Sequence, residues 1–367
     1  MNETLVQWTL LNNQRYLAEY LDFNFSTVLG QEISTDFGRI DFVVKNNANK
    51  SLVVELETIL NSKSKRDYCF NQTLNYKNVQ FSPNTEYCIL YADETLLKYK
   101  HETQNFGKKE NVIIKSYSVT KVTKLYDETI KRLSLNVGLA LPSPKNYTIC
   151  YLRWMNKILI TFLTKKTSKL NFDQIFEPFD NAKKSKTNFN CHLRLAIDFE
   201  MIEIKSGNYF LTKIGEEYLN SFNLSFDKHT KVSTIDLTNQ QKRIILKVLT
   251  NGNWDEKIHK VNIYWFLRFI EVTNGSWLPK NHDFERQKLE IARGLFNVSY
   301  KSRTMQEFLT WCSNYCLELG LIETIKSTSD YDQIILTPLG IEINNIFSLD
   351  LTLKRTRLNL NFKYLEI

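Results

Sequence analysis

The stretch between Phe37 and Glu57 limits what this chain can become more than any other. Arg39-Ile40-Asp41-Phe42-Val43-Val44 is followed by the turn-forming cluster Asn46-Asn47-Ala48-Asn49 and then by Ser51-Leu52-Val53-Val54-Glu55-Leu56-Glu57. Two alternating runs around a short Asn-rich turn predict an antiparallel hairpin. If the hairpin is symmetric about its turn, Asp41 stands opposite Glu55. Ile40, Phe42 and Val44 then share the core face with Leu52, Val54 and Leu56, while Asp41, Glu55 and Glu57 fall on the other face. Opposed carboxylates on neighbouring strands repel. A divalent cation between them relieves the repulsion, and hard oxygen donors select Mg²⁺ or Mn²⁺. The competing reading is a solvated sheet face that is merely acidic.

Around the hairpin the pattern predicts a helix from Leu5 to Leu21 and a strand from Ser26 to Ile33. A polar, basic stretch (Asn61 to Asp67) precedes a helix from about Tyr68 to Asn78. Strands follow at Glu86–Ala92 and Asn111–Ser116, and a helix at Val119–Leu135. This is an α/β core with mixed strand directions. A chain of 367 residues is too long for one ordinary core. Pro142-Ser143-Pro144 and the polar run Asp227–Asp236 mark the breaks, giving expected domains at 1–145, 150–225 and 237–367.

Gly38-Arg39-Ile40-Asp41 followed by Val53-Val54-Glu55-Leu56-Glu57 resembles the PD-(D/E)xK nuclease superfamily, which includes type II restriction endonucleases, RecB-like nucleases and archaeal mismatch endonucleases. Gln72-Thr73-Leu74-Asn75-Tyr76 is similar to the Gln-x-x-x-Tyr helix of the RecB-like members. The resemblance covers roughly residues 5–135, with its specific motifs within about 38–76. It implies a restriction-endonuclease-like fold with Asp41 and Glu55 as Mg²⁺ ligands, and Mn²⁺ as a substitute. Gln72 and Tyr76 would complete the site. Glu57 occupies the place of the family's lysine and would serve as ligand or base; the departure also admits an inactive, DNA-binding relative. Glu32, on the strand expected beside Asp41, is the preferred further acidic ligand, ahead of Glu19. Arg39 alternates onto the Asp41 face, where it could meet a phosphate. Lys63, Lys65 and Arg66 form a basic stretch near the site, or a solvated loop.

The second part of the chain repeats itself. Met201-Ile202-Glu203 precedes Leu211-Thr212-Lys213-Ile214-Gly215, and Leu321-Ile322-Glu323 precedes Leu336-Thr337-Pro338-Leu339-Gly340. Each copy reads as a helix end, two strands and a helix opened by Thr, which suits an N-cap. The order of elements over 151–224 is that of a winged helix, with a wing turning at Ser206-Gly207. The segment Asn190–Glu203 resembles the recognition helix of ArsR-type winged-helix proteins. That resemblance implies DNA contact by Lys183, Lys184, Lys186, Asn188, Asn190 and Arg194. In the second copy the equivalent contacts are Lys301, Arg303, Gln306 and Thr310. Trp265, Phe266, Phe269, Phe308, Trp311 and Tyr315 recur at helical spacing and are expected in the core. The tail Leu351–Leu360 alternates and carries a basic cluster, which reads as an edge strand or an arm on DNA.

The formal net charge of +8 suits a nucleic-acid partner, with roughly +2 in residues 1–145 and roughly +6 beyond. Six cysteines form no Cys-x-x-Cys pair and five histidines show no metal spacing. With no export signal and no apolar run of membrane-spanning length, the expected location is the cytoplasm. The function expected is a Mg²⁺-dependent, sequence-specific endonuclease of the type II restriction kind, acting on double-stranded DNA. A double-strand cut needs two active sites or two successive nicks, so a homodimer is expected. The alternatives are a DNA-binding regulator with a degenerate nuclease domain, and a nicking or transposon-end nuclease.

Overall fold

The computed structural model describes the chain apart from residues 37, 139–142, 146–150, 181–185, 224–235, 252, 274–275, 280–285, 327–330 and 364–367. Within its elements, the side chains of 32, 34, 134–138, 178–180, 186–188, 276–279, 287, 331–332 and 354–363 are also outside the description. The chain divides into two compact units, one over Met1–Ser134 and one over most of the remainder. Pro142 and nearly all of the polar run 227–236, where breaks were expected, lie outside the described residues. Among the described residues, no helix is long and apolar enough to cross a membrane.

The first unit is α/β. Its elements are α1 (Glu3–Leu11), α2 (Gln14–Leu21), β1 (Thr27–Thr35), β2 (Gly38–Lys45), β3 (Lys50–Glu57), α3 (Lys63–Tyr76), β4 (Asn84–Ala92), α4 (Leu97–Glu110), β5 (Ile113–Tyr117) and α5 (Val119–Gly138). The single helix expected at Leu5–Leu21 is two. The side chains of Asn12 and Asn13 take the carbonyls of Trp8 and Thr9 at 2.9 and 2.7 Å, and such local bonds compete with helix continuation. The strands form one sheet in the order β1-β2-β3-β4-β5. The first three are antiparallel and the last two pairings are parallel, so the sheet is mixed.

Both faces of this sheet are covered. On one, Phe42, Val44, Leu52, Val54 and Leu56 pack with Val6, Leu10, Leu17, Leu21 and Val122 of α1, α2 and α5. On the other, Val43 and Val53 pack with Tyr76, and Ile89 and Tyr91 with Cys69, all against α3. Ile40 corrects the expectation: it joins Val43, Val53 and Tyr76 rather than Phe42. The regular β2–β3 pairing ends at Phe42↔Val54, and beyond it the Asp41 carboxylate accepts the Leu56 N–H at 2.6 Å.

The second unit runs α6 (Trp154–Thr164), β6 (Lys169–Leu170), α7 (Phe172–Asp180), α8 (Lys186–Asp198), β7 (Ile202–Lys205), β8 (Asn208–Leu211) and α9 (Lys213–Leu219). After α10 (Asn239–Leu249) the same order recurs as α11 (Ile258–Val272), β9 (Ser276–Pro279), α12 (Arg286–Phe296), α13 (Ser302–Leu319), β10 (Ile322–Ile325), β11 (Tyr331–Leu336) and α14 (Pro338–Lys363). In both small sheets the last strand is central: β6-β8-β7 and β10-β11-β9. Of the six aromatics expected in the core, Trp265, Phe266, Phe269, Phe308 and Tyr315 are buried and Trp311 is half-buried.

The repeated Leu-Thr-x-x-Gly has one structural job in both copies. The Thr212 hydroxyl accepts the Gly215 N–H at 3.0 Å, and that of Thr337 accepts the Gly340 N–H at 3.1 Å. The same threonines donate their backbone N–H to the carbonyls of Met201 and Leu321 at 3.1 and 3.0 Å. Each glycine lies so close to that same carbonyl that a Cβ would overlap it. The tail expected as a strand or arm continues α14 instead. Ile343, Phe347 and Leu351 recur every four residues and are buried, which is helical spacing.

Candidate active site

The β2–β3 hairpin has the expected register, since Val43 faces Val53 and Val44 faces Leu52 across the turn. Its continuation brings Asp41 level with Glu55. Asp41, Glu55 and Glu57 are 6%, 4% and 4% exposed, a burial that carboxylates reach only when their surroundings compensate it. The Gln7 side chain donates to the Asp41 carbonyl at 2.7 Å and ties α1 to the same point.

Helix α3 closes this side of the sheet. The Ser62 side chain caps it by accepting the Lys65 N–H at 3.2 Å. The helix thus begins five residues earlier than the sequence suggests, and the basic stretch is its first turn rather than a loop. Cations there oppose the helix dipole, and the carboxylates around them offset it. Arg66 pairs with Asp67 and Glu102. The Lys65 ammonium lies 3.0 Å from a Glu57 oxygen and donates to the Thr58 hydroxyl at 2.6 Å.

Burial and the three carboxylates shift the titration of the groups around them. Burial raises the pKa of Glu57 above its ordinary value, against the lowering influence of Lys65. Burial pushes the Cys69 thiol well up, and Glu55, Glu57 and Asp41 all add to it. The Tyr76 phenol is also driven up by burial, then by Glu55 and Asp41. Tyr76 donates to the Arg39 carbonyl at 2.5 Å and accepts from Gln72 at 3.2 Å, so this helix pair braces β2 beside the carboxylates.

The structure therefore lines Asp41, Glu55, Glu57, Gln72, Tyr76 and Lys65 along the contact between the hairpin and α3, with Lys65 against Glu57 at the start of the helix and Tyr76 against the Arg39 carbonyl at its end. Glu32 lies on β1 between the pairs Gln31↔Phe42 and Ile33↔Ile40, the strand beside Asp41, but its side chain is outside the described residues. Glu19 lies on the surface, paired with Arg15. Sequence reasoning missed Gln7 and Thr58. The first left one signal, a glutamine between the core residues Val6 and Trp8.

No family model and no curated protein matches the chain. A crystal structure of a repair endonuclease from Pyrococcus abyssi is similar to part of it, at 11% identity and a TM-score of 0.23, over 29% of this chain and 45% of that one. The match thus spans less than half of that enzyme.

In the second unit, Lys183 and Lys184 lie outside the described residues, as do the side chains of Lys186 and Asn188 on α8. Asn190 is exposed. Arg194 is 44% exposed, and its Nε lies 2.8 Å from Asp198 one turn on. Lys301 and Arg303 are exposed at the start of α13, Arg303 pairs with Glu307, and Gln306 is half-buried.

Proposed function

We propose that this chain is a magnesium-dependent DNA endonuclease of the restriction type, with its active site on β2, β3 and α3. The observation that supports this reading is the gathering of Asp41, Glu55 and Glu57 on one hairpin, with the Lys65 ammonium against Glu57. Among the described residues, no group of three or more His, Cys, Asp or Glu side chains is arranged to hold a metal ion. Mg²⁺ asks for less than that: it is commonly held by one or two carboxylates together with waters and substrate phosphates. Asp41 and Glu55 supply that donor set in hard oxygens. A divalent ion there would lower the pKa of a bound water and polarise the phosphodiester.

The chain's own groups have distinct parts in this reading. Asp41 is held in orientation by the Leu56 N–H and, through its backbone, by Gln7. Glu57 accepts the proton of the attacking water. Lys65 opposes the rise in the Glu57 pKa that burial imposes and fixes the direction of the carboxylate. Gln72 and Tyr76 hold β2 at Arg39. The two repeated modules of the second unit are winged helices that read the DNA site, α8 and α13 being their recognition helices and β7–β8 and β10–β11 their wings. Asn190, Lys301 and Arg303 supply base and phosphate contacts.

The test is incubation of supercoiled plasmid with Mg²⁺, then Mn²⁺, comparing the wild type with Asp41→Asn. Cleavage by the wild type alone is the expected result. If the wild type binds duplex DNA and cuts none with either ion, the protein is a DNA-binding regulator on a degenerate nuclease fold.

A further inference from the structure

The two repeated modules grip each other by one device used twice. Asp198 ends α8, and its Oδ2 accepts the His259 N–H at 3.1 Å in the first turn of α11; the His259 ring lies 2.8 Å from the same oxygen. Glu318 stands near the end of α13, and its Oε2 accepts the Leu152 N–H at 2.6 Å just ahead of α6, while its other oxygen pairs with Arg153. The Met201-Ile202-Glu203 and Leu321-Ile322-Glu323 alignment makes Asp198 and Glu318 equivalent positions. Their targets are equivalent too: Arg153 precedes Asn156 by three residues, and His259 precedes Asn262 by three.

A second pair of contacts crosses in the same way. Asn156 of the first module accepts from Gln241, in the helix leading into the second, at 2.9 Å. Asn262 of the second module donates to the Lys145 carbonyl, in the segment leading into the first, at 3.1 Å. Contacts in which i meets j and j meets i are the mark of a two-fold interface. Asn156, Asn262 and Asp198 are buried, the Glu318 side chain is 6% exposed, and both carboxylates sit where a helix N-terminus favours negative charge. The two modules are therefore related as the halves of a dimer, within one chain.

The grip also settles which ends of the recognition helices are occupied. α8 and α13 are pinned by their C-terminal residues, leaving exposed Asn190 on α8 and exposed Lys301 and Arg303 at the start of α13. The N-terminal turns are the part of such helices that meets base edges. We infer that the second unit is an intramolecular pseudo-dimer that binds one DNA duplex carrying two related half-sites in inverted orientation at a fixed spacing. This rests on the winged-helix reading of the modules and adds the form of the site.

The experiment is selection of bound duplexes from a random library by the full-length protein without divalent metal, followed by affinity measurement on the winners. Two related, inverted motifs at one spacing are expected, and inserting about five base pairs between them, half a helical turn, should weaken binding at least about tenfold. Glu318→Gln should lose that spacing dependence while keeping its affinity for a single half-site. A single motif, a direct repeat, or indifference to spacing overturns the pseudo-dimer and leaves DNA binding standing. No selective or nonselective binding to any duplex, even at low salt, overturns the winged-helix reading and this inference together.

Discussion

The Nζ of Lys65, in the first turn of α3, lies 3.0 Å from Oε2 of Glu57, the last residue of β3. Eight positions apart in sequence, they place an ammonium and a carboxylate together where the resemblance to PD-(D/E)xK nucleases calls for a lysine alone. Burial raises the Glu57 pKa and Lys65 opposes the rise.

If Glu57 accepts a proton, cleavage should rise with pH as it ionises, and Lys65→Met should move that rise to higher pH. A rate profile that stays in place shows that Lys65 does not act through Glu57. Stability carries the opposite sign. A carboxylate whose folded pKa is raised binds its proton more tightly when folded, so its contribution is fully present below the unfolded value and is lost as pH climbs through the folded one. Urea titrations of Glu57→Gln should therefore lack a slope, at most about 1.4 kcal/mol per pH unit for one proton, that the wild type shows above its ordinary value of 4.5.

Metal removal gives a separate check on Asp41 and Glu55. Calorimetric titration with Mn²⁺ should show binding by the wild type and none by Glu55→Ala. Asp41→Asn should slow cleavage at least about a hundredfold, since metal-borne charge stabilisation is worth several kcal/mol and about 1.4 kcal/mol is tenfold in rate. Equal Mn²⁺ binding by Glu55→Ala would remove that residue from the ligand set.

Gly215→Ala and Gly340→Ala should be destabilising although each adds a single methyl group. The added Cβ has no room against the Met201 or the Leu321 carbonyl, and backbone cannot turn aside as a side chain can. A loss of about 1–3 kcal/mol is expected at each, read from urea midpoints. Unchanged midpoints would show that the helix α9 or α14 shifts freely on its neighbour.

Asp198 tests the grip between the modules without DNA. Burial alone would raise its pKa, but hydrogen bonds and charge from His259, joined by Arg194, bring it below its ordinary value. Its contribution to stability is present above the unfolded value of 3.8 and is lost as pH falls through the depressed one. Asp198→Ala, which strips a buried pair of its acid, should cost about 3–5 kcal/mol near neutral pH. A midpoint unchanged from wild type would mean that the pair is not holding α8 to α11.

The sequence by itself determined the local order. Asn46-Asn47-Ala48-Asn49 set the register that faces Val44 with Leu52, and the repeated Leu-Thr-x-x-Gly marked two helix starts of one design. Such features are legible because a turn, a cap or a strand period is written in residues close along the chain. Tertiary structure alone decided what each polar group meets. Nothing near Lys65 in sequence says that Glu57 stands across from it, because a basic first helical turn reads as a loop until the carboxylates of a neighbouring strand and helix are in place. Arg194 read as a free DNA contact, yet it leans on Asp198, whose other partner, His259, comes from a different module. Ile40 packs with Val43, Val53 and Tyr76 beyond the point where the regular β2–β3 pairing ends. Hydrophobic period reports which side of an element turns inward, whereas charge pairing depends on which residues packing brings within a few ångströms, and that is fixed only when the elements meet.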